Sequence, residues 1–531
     1  MMRVRAAKLN LLDRIVGYLN PGAGLSRIRD RTMLASATSP GGYKGGKLDR
    51  RATKNWRPTG TSADADLLPE LDDLRARSRD LARNLPVATG AIATNKTHVV
   101  GDGLVLSAQC ARKLLGLTPE QATAFNRAAE WEFEIWSKTA DFTRVQHFAE
   151  LQSLMLGGAL ESGDIFALRR YRLDPGDTYG TKVQVIESDR VCNPFRMSDT
   201  ETLIAGVEHS KDGVPIAVHV ADRHPGDPLR KPTSWRRVPM RYNDGRAIVI
   251  QLFDRLRPDQ TRGIPYLAPV VEALKSLGDY TDAEVRAAVV SAMFTVFVKN
   301  SPDSESNPLP TTDASGTSGK EEIELGSGAV IDLAEGEDVT FANPMRPNPQ
   351  FDAFVTAFLR QIGVALELPF ELLIKHFTAS YSASRAALEM AYHSFRRRRT
   401  WLVRNFCQVV YEWVMEEAII LGRIEAPGFF DDPLKRAAWL NATWTGPVRI
   451  SLDPLKDANA DEVDRKNGFK TSQQIMTERT GGDFEDKTEQ LAAENVARKS
   501  AGINPDAAPP AAAMPAAKPA EQVDEEETAD A

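Results

Sequence analysis

A chain of 531 residues with 42% hydrophobic and 26% charged residues has a globular composition, and at roughly 150 residues per domain it divides into three or four folding units. It holds no run of about 18 apolar residues, which excludes a helical membrane span, and Asp13 and Arg14 interrupt any secretory-type apolar run at the start. The net charge of −7 conceals three blocks: about +10 over residues 1–57, −9 over 301–345 and −6 over 501–531, a pattern of solvated or partner-facing segments rather than core.

In chain order, residues 1–60 are basic and rich in Gly, Ser and Arg, with a short helix expected at 8–19. Within them GGYKGGKL spells GxxxxGK, but Leu48 stands where a phosphate-binding loop needs Ser or Thr for magnesium, and no apolar strand precedes it. A flexible basic arm is the expected state. From Leu67 the leucines at 67, 71, 74, 81 and 85 recur at mostly helical steps. Thr118 followed by Pro119 is an N-cap with proline at N1, opening a helix that carries Phe125, Trp131, Phe133 and Trp136.

From about residue 164 the period shortens towards two. IFALRRY, KVQVIES, AGVEHS, IAVHVAD and AIVIQLF read as strands separated by DPGD, KDG and NDG turns, which predicts an antiparallel meander. Helix is expected over 266–292, loop over 300–320, and short strands in SGAVIDLAEGEDVTFANP. It returns at 350–367, and a long helix is expected from Ser384 to Leu421, about 55 Å if unbroken. Its apolar stripe is Leu388, Tyr392, Phe395, Leu402, Phe406, Val409, Trp413 and Ile420, with Arg399 in the gap. That places Arg399 or its neighbour on the packed side, where a charge requires a partner carboxylate. Arg396, Arg397, Arg398 and Arg399 advance about 100° each, so they cannot all face one ligand. Shorter helices fill 431–500, and the Ala/Pro and acidic stretch from 505 is expected to be disordered.

Residues for chemistry are scattered. Three cysteines, Cys110, Cys192 and Cys407, are odd in number and far apart, which argues against a disulfide framework and suits a reducing compartment. No CxxC or HxxxH pair, GxSxG elbow or clustered histidine set occurs, so no catalytic residue, metal or cofactor is expected.

Several segments, in order, resemble the lambda-type phage portal proteins. They are residues 64–104, ending HVVGDGL; 261–294, opening TRG; 335–373, with EGE, PNP and GVALELPFELL; and 380–390, SYSASRAALEM. The pattern departs at Ala383, in place of a second serine, and at Glu335, in place of proline. The resemblance implies an α+β portal-protein fold assembled as a ring, without enzymatic activity. Its parts would be a basic arm (1–60), an α/β wing (61–260), stem helices (261–299 and 346–376), a small α/β clip (300–345), a tunnel loop (377–384), a long helix (385–425), a helical crown (426–500) and an acidic tail (501–531).

It further implies a head–tail connector in the virion, a homododecamer at one capsid vertex that is assembled in the host cytoplasm. Its channel would pass double-stranded DNA of any sequence during packaging and genome ejection. Implied partners are the terminase large subunit, the major capsid or scaffold protein and the head-completion or connector protein, with no membrane. Thr378, Ser380, Tyr381, Ser382, Ser384 and Arg385 would line the channel. Arg396–Arg399 are candidate DNA or inter-subunit contacts, and Glu321, Glu322 and Glu324 a docking surface on the clip. Competing readings are a nucleotide-dependent DNA-processing enzyme using 41–47 and a non-catalytic DNA-binding scaffold using 1–57.

Overall fold

The computed structural model describes residues 58–292, 350–377, 380–448, 453–480 and 484–501, the backbone of 296–300 and 337–341, and short pieces between 18 and 56. The Gly41–Leu48 loop, the acidic residues 321–324 and the tail beyond 501 lie outside the described residues. Residues 1–66 form one compact unit and 67–531 another; the architecture below is that of the second.

It opens with two helices, α1 (Leu71–Asn84) and α2 (Pro86–Val99). The buried stripe of α1 is Leu71, Arg75, Ser78 and Leu81, so one position of its inner face is a guanidinium. Pro86 starts α2 at a point where a backbone N–H would be unpaired. After strand β1 (Val105–Ala108) comes α3 (Pro119–Ser137), where Thr118 and Gln121 form the reciprocal capping box that the Thr-Pro pair suggests. Phe125, Phe133 and Trp136 of this helix are buried, whereas Trp131 is exposed. In α4 (Phe148–Ser162) a histidine serves as cap: His147 accepts from the Ala149 N–H and donates its own N–H to Glu150.

The β region is two sheets. β2 (Asp164–Tyr171) lies between β3 (Thr181–Ile186) and β8 (Val249–Phe253), all antiparallel. The other sheet, β4 (Leu203–Ile204), β5 (Val207–His209), β6 (Pro215–Ala221) and β7 (Trp235–Pro239), is the meander proper. The single meander read from the sequence is therefore split, because β8 returns to the free edge of β2. Strand β7, WRRVP, escapes the period-two reading because Arg236 and Arg237 are adjacent and both exposed on a sheet edge. Phe166, Leu168, Ile186 and Val249 from one sheet meet Val207, Val218, Val220 and Val238 from the other in a small core of their own.

The main core is continuous from Leu81 to Leu440. Helix α5 (Val271–Ala292) is followed by the antiparallel pair β9 (Val296–Asn300) and β10 (Glu337–Phe341), then α6 (Phe351–Ala365). α5 and α6 lie together: the Tyr280 ring is 5.6 Å from that of Phe351 and 5.0 Å from that of Phe354. A short α7 (Phe370–Ile374) precedes α8 (Tyr381–Leu402), a π-helical turn at Val403–Cys407, and α9 (Gln408–Ile420).

The run from 381 to 420 rises about 60 Å at ~1.5 Å per residue. Its π turn shifts the buried face: beyond it Val410, Tyr411, Trp413, Val414 and Ala418 are inside, and Ile420, which the stripe places in the core, is 67% exposed. After α10 (Pro433–Trp439), β11 (Ala442–Thr445) runs back to pair antiparallel with β1, Val105 opposite Thr445 and Ala108 opposite Ala442. Helices α11 (Pro454–Lys466), α12 (Ser472–Thr480) and α13 (Phe484–Ser500) complete the described chain.

Candidate functional site

The loop between α7 and α8 begins at Lys375, whose left-handed backbone (φ 55°) ends α7, with the His376 N–H returning to the Glu371 carbonyl at 3.0 Å. Phe377 is exposed, and Thr378 lies outside the described residues. Ser380 holds the cap position of α8, and its carbonyl accepts from the Ser384 N–H at 2.9 Å. The helix thus starts at Tyr381, three residues before the Ser384 start read from the sequence. Tyr381, Ser382, Ser384 and Arg385 are helical, not loop. Ser380 and Ser382 are exposed with hydroxyls 3.4 Å apart, whereas Ser384 is buried.

The base of the loop is tied down. Arg385 pairs with Asp457 of α11 at 3.2 Å, and the Lys456 ammonium lies 5.8 Å from the centre of the half-exposed Tyr381 ring. The guanidinium of Arg385, one of the channel-lining candidates, is therefore met by a carboxylate.

Three of the four consecutive arginines are engaged within the chain. Arg397 pairs with Glu367 at 2.6 Å. Arg398 donates to Asn95, approaches Glu367 at 3.4 Å and stacks over the Tyr266 ring at 4.7 Å. Arg399 occupies the packed side, as the gap in the stripe requires, but its partners are backbone carbonyls: Val99 at 3.0 Å, His98 at 2.9 Å and Pro447 at 2.9 Å. The expected carboxylate is replaced by three peptide dipoles, which accept from Nε and Nη2 without cancelling the charge. Burial lowers the affinity of Arg399 for its proton, and Arg396 adds to this. Arg396 is exposed, and its guanidinium has no partner among the described residues.

The residues that sequence reasoning missed are buried charges. Arg262, in the TRG turn, donates Nε to Asp164 at 2.5 Å and Nη2 to Asp164 at 3.1 Å. Its remaining donors reach the carbonyls of Ser188 at 2.9 Å, Val191 at 2.8 Å and Ala205 at 2.7 Å. Arg75 of α1 joins the same carboxylate at 2.8 Å. Burial alone would push the Asp164 carboxyl up; the two guanidinium groups outweigh it and hold it at about 2. Burial and the charge of Arg262 pull Arg75 down to about 10.

The glycines beside this cluster are in backbone contact. A Cβ on Gly163 (φ 89°) would lie 2.3 Å from the Gly263 carbonyl oxygen, and one on Gly263 would lie 2.0 Å from that of Gly163. On α9, buried Glu416 accepts from Arg169 at 2.5 Å, Arg436 at 2.5 Å and Arg246 at 3.2 Å, while Glu417 accepts the Gly180 and Thr181 N–H groups at 2.8 Å each. The signal for this pair was available: two adjacent acids inside the apolar run YEWVMEEAII need partners if the run is buried. Among the described residues, Glu187, Asp189 and His224 could share an ion, but Arg79 already stands there, bonded to Asp189 and 3.2 Å from Glu187.

The chain resembles the portal protein of Escherichia phage N15, with 27% identity over 88% of this chain and 91% of that protein. It also resembles portal protein B of Escherichia phage lambda, with 25% identity over 89% and 93%. The probable portal protein of Halomonas phage phiHAP-1 is 26% identical over 85% and 86%. Among solved structures, a chain of the virion of a native gene transfer agent particle overlays with a TM-score of 0.41 at 15% identity, over 80% of this chain and 96% of that chain. Residues 49–399 match the model of the phage portal protein, lambda family, a span that takes in the TRG turn, the α5–α6 pair, the loop before α8 and the arginine block. The chain belongs to the lambda family of phage portal proteins.

Proposed function

We propose that this portal protein closes into a dodecameric ring at one capsid vertex, and that double-stranded DNA is packaged and ejected through its axis. In this reading α5 and α6 are the stem, residues 300–345 the clip and 377–384 the tunnel loop, with 61–260 as wing and 426–500 as crown. The ring forms in the host cytoplasm and becomes part of the virion. The terminase large subunit and the head-completion protein dock at the clip, where Glu321, Glu322 and Glu324 contribute negative charge, and the capsid or scaffold protein meets the wing. Portal proteins are structural rather than catalytic, so the chain supplies a conduit and docking surfaces while a motor supplies the work.

The observation that carries this reading is the surface of the stem pair. Val285, Val289, Phe354 and Val364 are exposed on α5 and α6, at 63%, 52%, 46% and 82%. The first two are one helical turn apart. Apolar side chains on both members of a helix pair call for further cover, and a heterologous contact that repeats by rotation supplies it by closing a ring. No helix among the described residues is long and apolar enough to cross a membrane.

Electron microscopy and native mass measurement test the assembly. Rings are expected from the parent chain, and a folded non-ring species from Val285→Asp with Val289→Asp. A monodisperse parent monomer at micromolar concentration would sink the proposal.

A further inference from the structure

Helices α5 and α6 run antiparallel, and two contacts fix their register. The Tyr266 hydroxyl, shortly before α5, donates to the Leu366 carbonyl, just after α6. Further along, the Tyr280 ring meets those of Phe351 and Phe354. Each step forward on α5 is thus matched by a step back on α6. On this register Glu272 and Arg360 stand level: Glu272 is six residues past Tyr266, and Arg360 is six residues short of Leu366.

Level is not the same as facing. At about 100° per residue, Glu272 is turned about 80° from Tyr280, and Arg360 about 120° from Phe354 and about 180° from Phe351. The two side chains therefore leave the helix pair on different flanks. Both are exposed, and neither has an ion pair among the described residues. The Arg360 guanidinium lies over the Phe370 ring at 5.5 Å.

The surrounding charges do not answer these two. Of the acids that follow α6, Glu367 is taken by Arg397 and Arg398, and Glu371 forms no ion pair with Arg360. On α5, Lys275 is paired with Asp279. Asp282 and Arg286 lie about 15 and 21 Å further along the helix from Glu272. Arg360 shares its face with Ala353, Ala357 and Val364, and Glu272 shares its face with Ser276 and Ala283, all exposed. Ser276 is nearly level with Ala357, and small side chains at matched height let two helices approach to the near end of the roughly 8–10 Å range.

We propose that α6 of one copy packs against α5 of the next, with Arg360 paired to Glu272 across the contact and Ala357 against Ser276. This rests on the ring reading above and deepens it by naming the stem faces that meet. The argument is charge complementarity at equal height. Rotation about an axis parallel to the helix pair moves a residue around the ring without changing its level, so the cation on one flank arrives opposite the anion on the other. The two faces differ, so the contact is head-to-tail and closes as a ring rather than as a two-fold dimer. A lone exposed pair stabilises little, but the ring repeats it at every interface.

Two experiments on the full chain test it. In the first, Arg360→Glu and Glu272→Arg are each expected to lower the ring fraction at micromolar protein about tenfold, because like charges then meet at every interface. Both changes in one chain restore the pair with its sense inverted, and rings should return to within about twofold of the parent. Mixing the two single variants in equal amounts should also restore rings, with the two chains alternating. Native mass measurement on isotopically distinct chains would then read an even copy number and a one-to-one composition. Single variants that form rings as the parent does overturn the pairing and leave the ring reading standing. A parent that forms no ring overturns both. Losses that neither the double variant nor the mixture repairs also overturn the pairing.

In the second, Arg360→Lys, which keeps the charge, is treated with a zero-length carbodiimide in a mixture of isotopically distinct copies. Amide links from the introduced amine to Glu272 of another copy are expected. Links confined to one copy, or none to Glu272, overturn the proposal.

Discussion

Arg262 directs all of its N–H donors at the carboxylate of Asp164 and three carbonyls. Lysine keeps the charge but not the fork, so Arg262→Lys leaves buried acceptors without donors. A loss of about 3–5 kcal/mol is expected, read as a fall in melting temperature. Asp164 gives the same cluster a pH dependence. Its folded-state value of about 2 lies below the ~3.9 of an unfolded aspartate, so its contribution is complete above about pH 4 and fades as the pH falls towards 2. The parent should lose melting temperature over that window, and Asp164→Asn, already destabilised, should lose less. At this scale the sequence was only partly legible. The TRG turn stands out as a motif, but its partner Asp164 lies 98 residues before Arg262, and nothing local marks the aspartate just before IFALRRY as a buried ion. An inward charge at Arg399 or its neighbour was readable from the gap in the stripe. That peptide carbonyls rather than a carboxylate receive it depends on where α2 ends and where Pro447 returns, and neither is encoded nearby.

At the scale of elements, the long helix was legible in position and length, because an apolar stripe of that span has no other reading. Its two corrections have local causes. Ser380 caps the helix by backbone geometry rather than by its side chain, and Ser382 and Ser384 are equally good cap residues by type, so the sequence does not single out the start. The π turn is silent because it adds one residue to a pattern already alternating threes and fours. That added residue makes a sharp prediction. Deleting Asn405, exposed within the π turn, should restore α-helical bonding and keep both flanking faces in register, giving a folded, soluble chain. Deleting Arg397, in regular helix, should rotate everything beyond it by about 100° and abolish soluble expression. Equal solubility of the two deletions would contradict this account. The split sheet was out of reach because strand order, unlike strand content, is set by which edge a distant segment finds.

At the scale of the whole molecule, the family and the mixed helix-and-sheet class were readable from ordered motifs. The loop before α8 is where function is best tested. Beside it stand the cap residue Ser380 and, in the first turn of α8, Ser382 and the half-exposed Tyr381, with the nearby guanidinium of Arg385 already paired. Phosphate neutralisation dominates affinity for DNA, so in the channel proposed above this segment would let the polymer slide. Deletion of 378–383 should leave assembly intact while packaging or retention of full-length DNA falls at least about tenfold. Ser380→Lys with Ser382→Lys should slow translocation by adding two phosphate contacts per subunit. Normal packaging by the deletion variant would remove the loop from the channel.

The pairing of β1 with β11 also fixes when this protein can become itself. Val105 meets Thr445, so during translation the first strand is made 340 residues before its partner. At roughly 5–20 residues per second this is a wait of about 17–70 s. Through that interval β1 is an open edge, and Leu104 and Leu106, buried in the finished chain, await their cover. Ribosome-stalled chains ending at 420 should be far more protease-sensitive around residues 104–110 than those ending at 490, because only the longer ones have released β11 from the exit tunnel. The last fifth of the sequence thus supplies the strand that closes an edge opened in its first quarter.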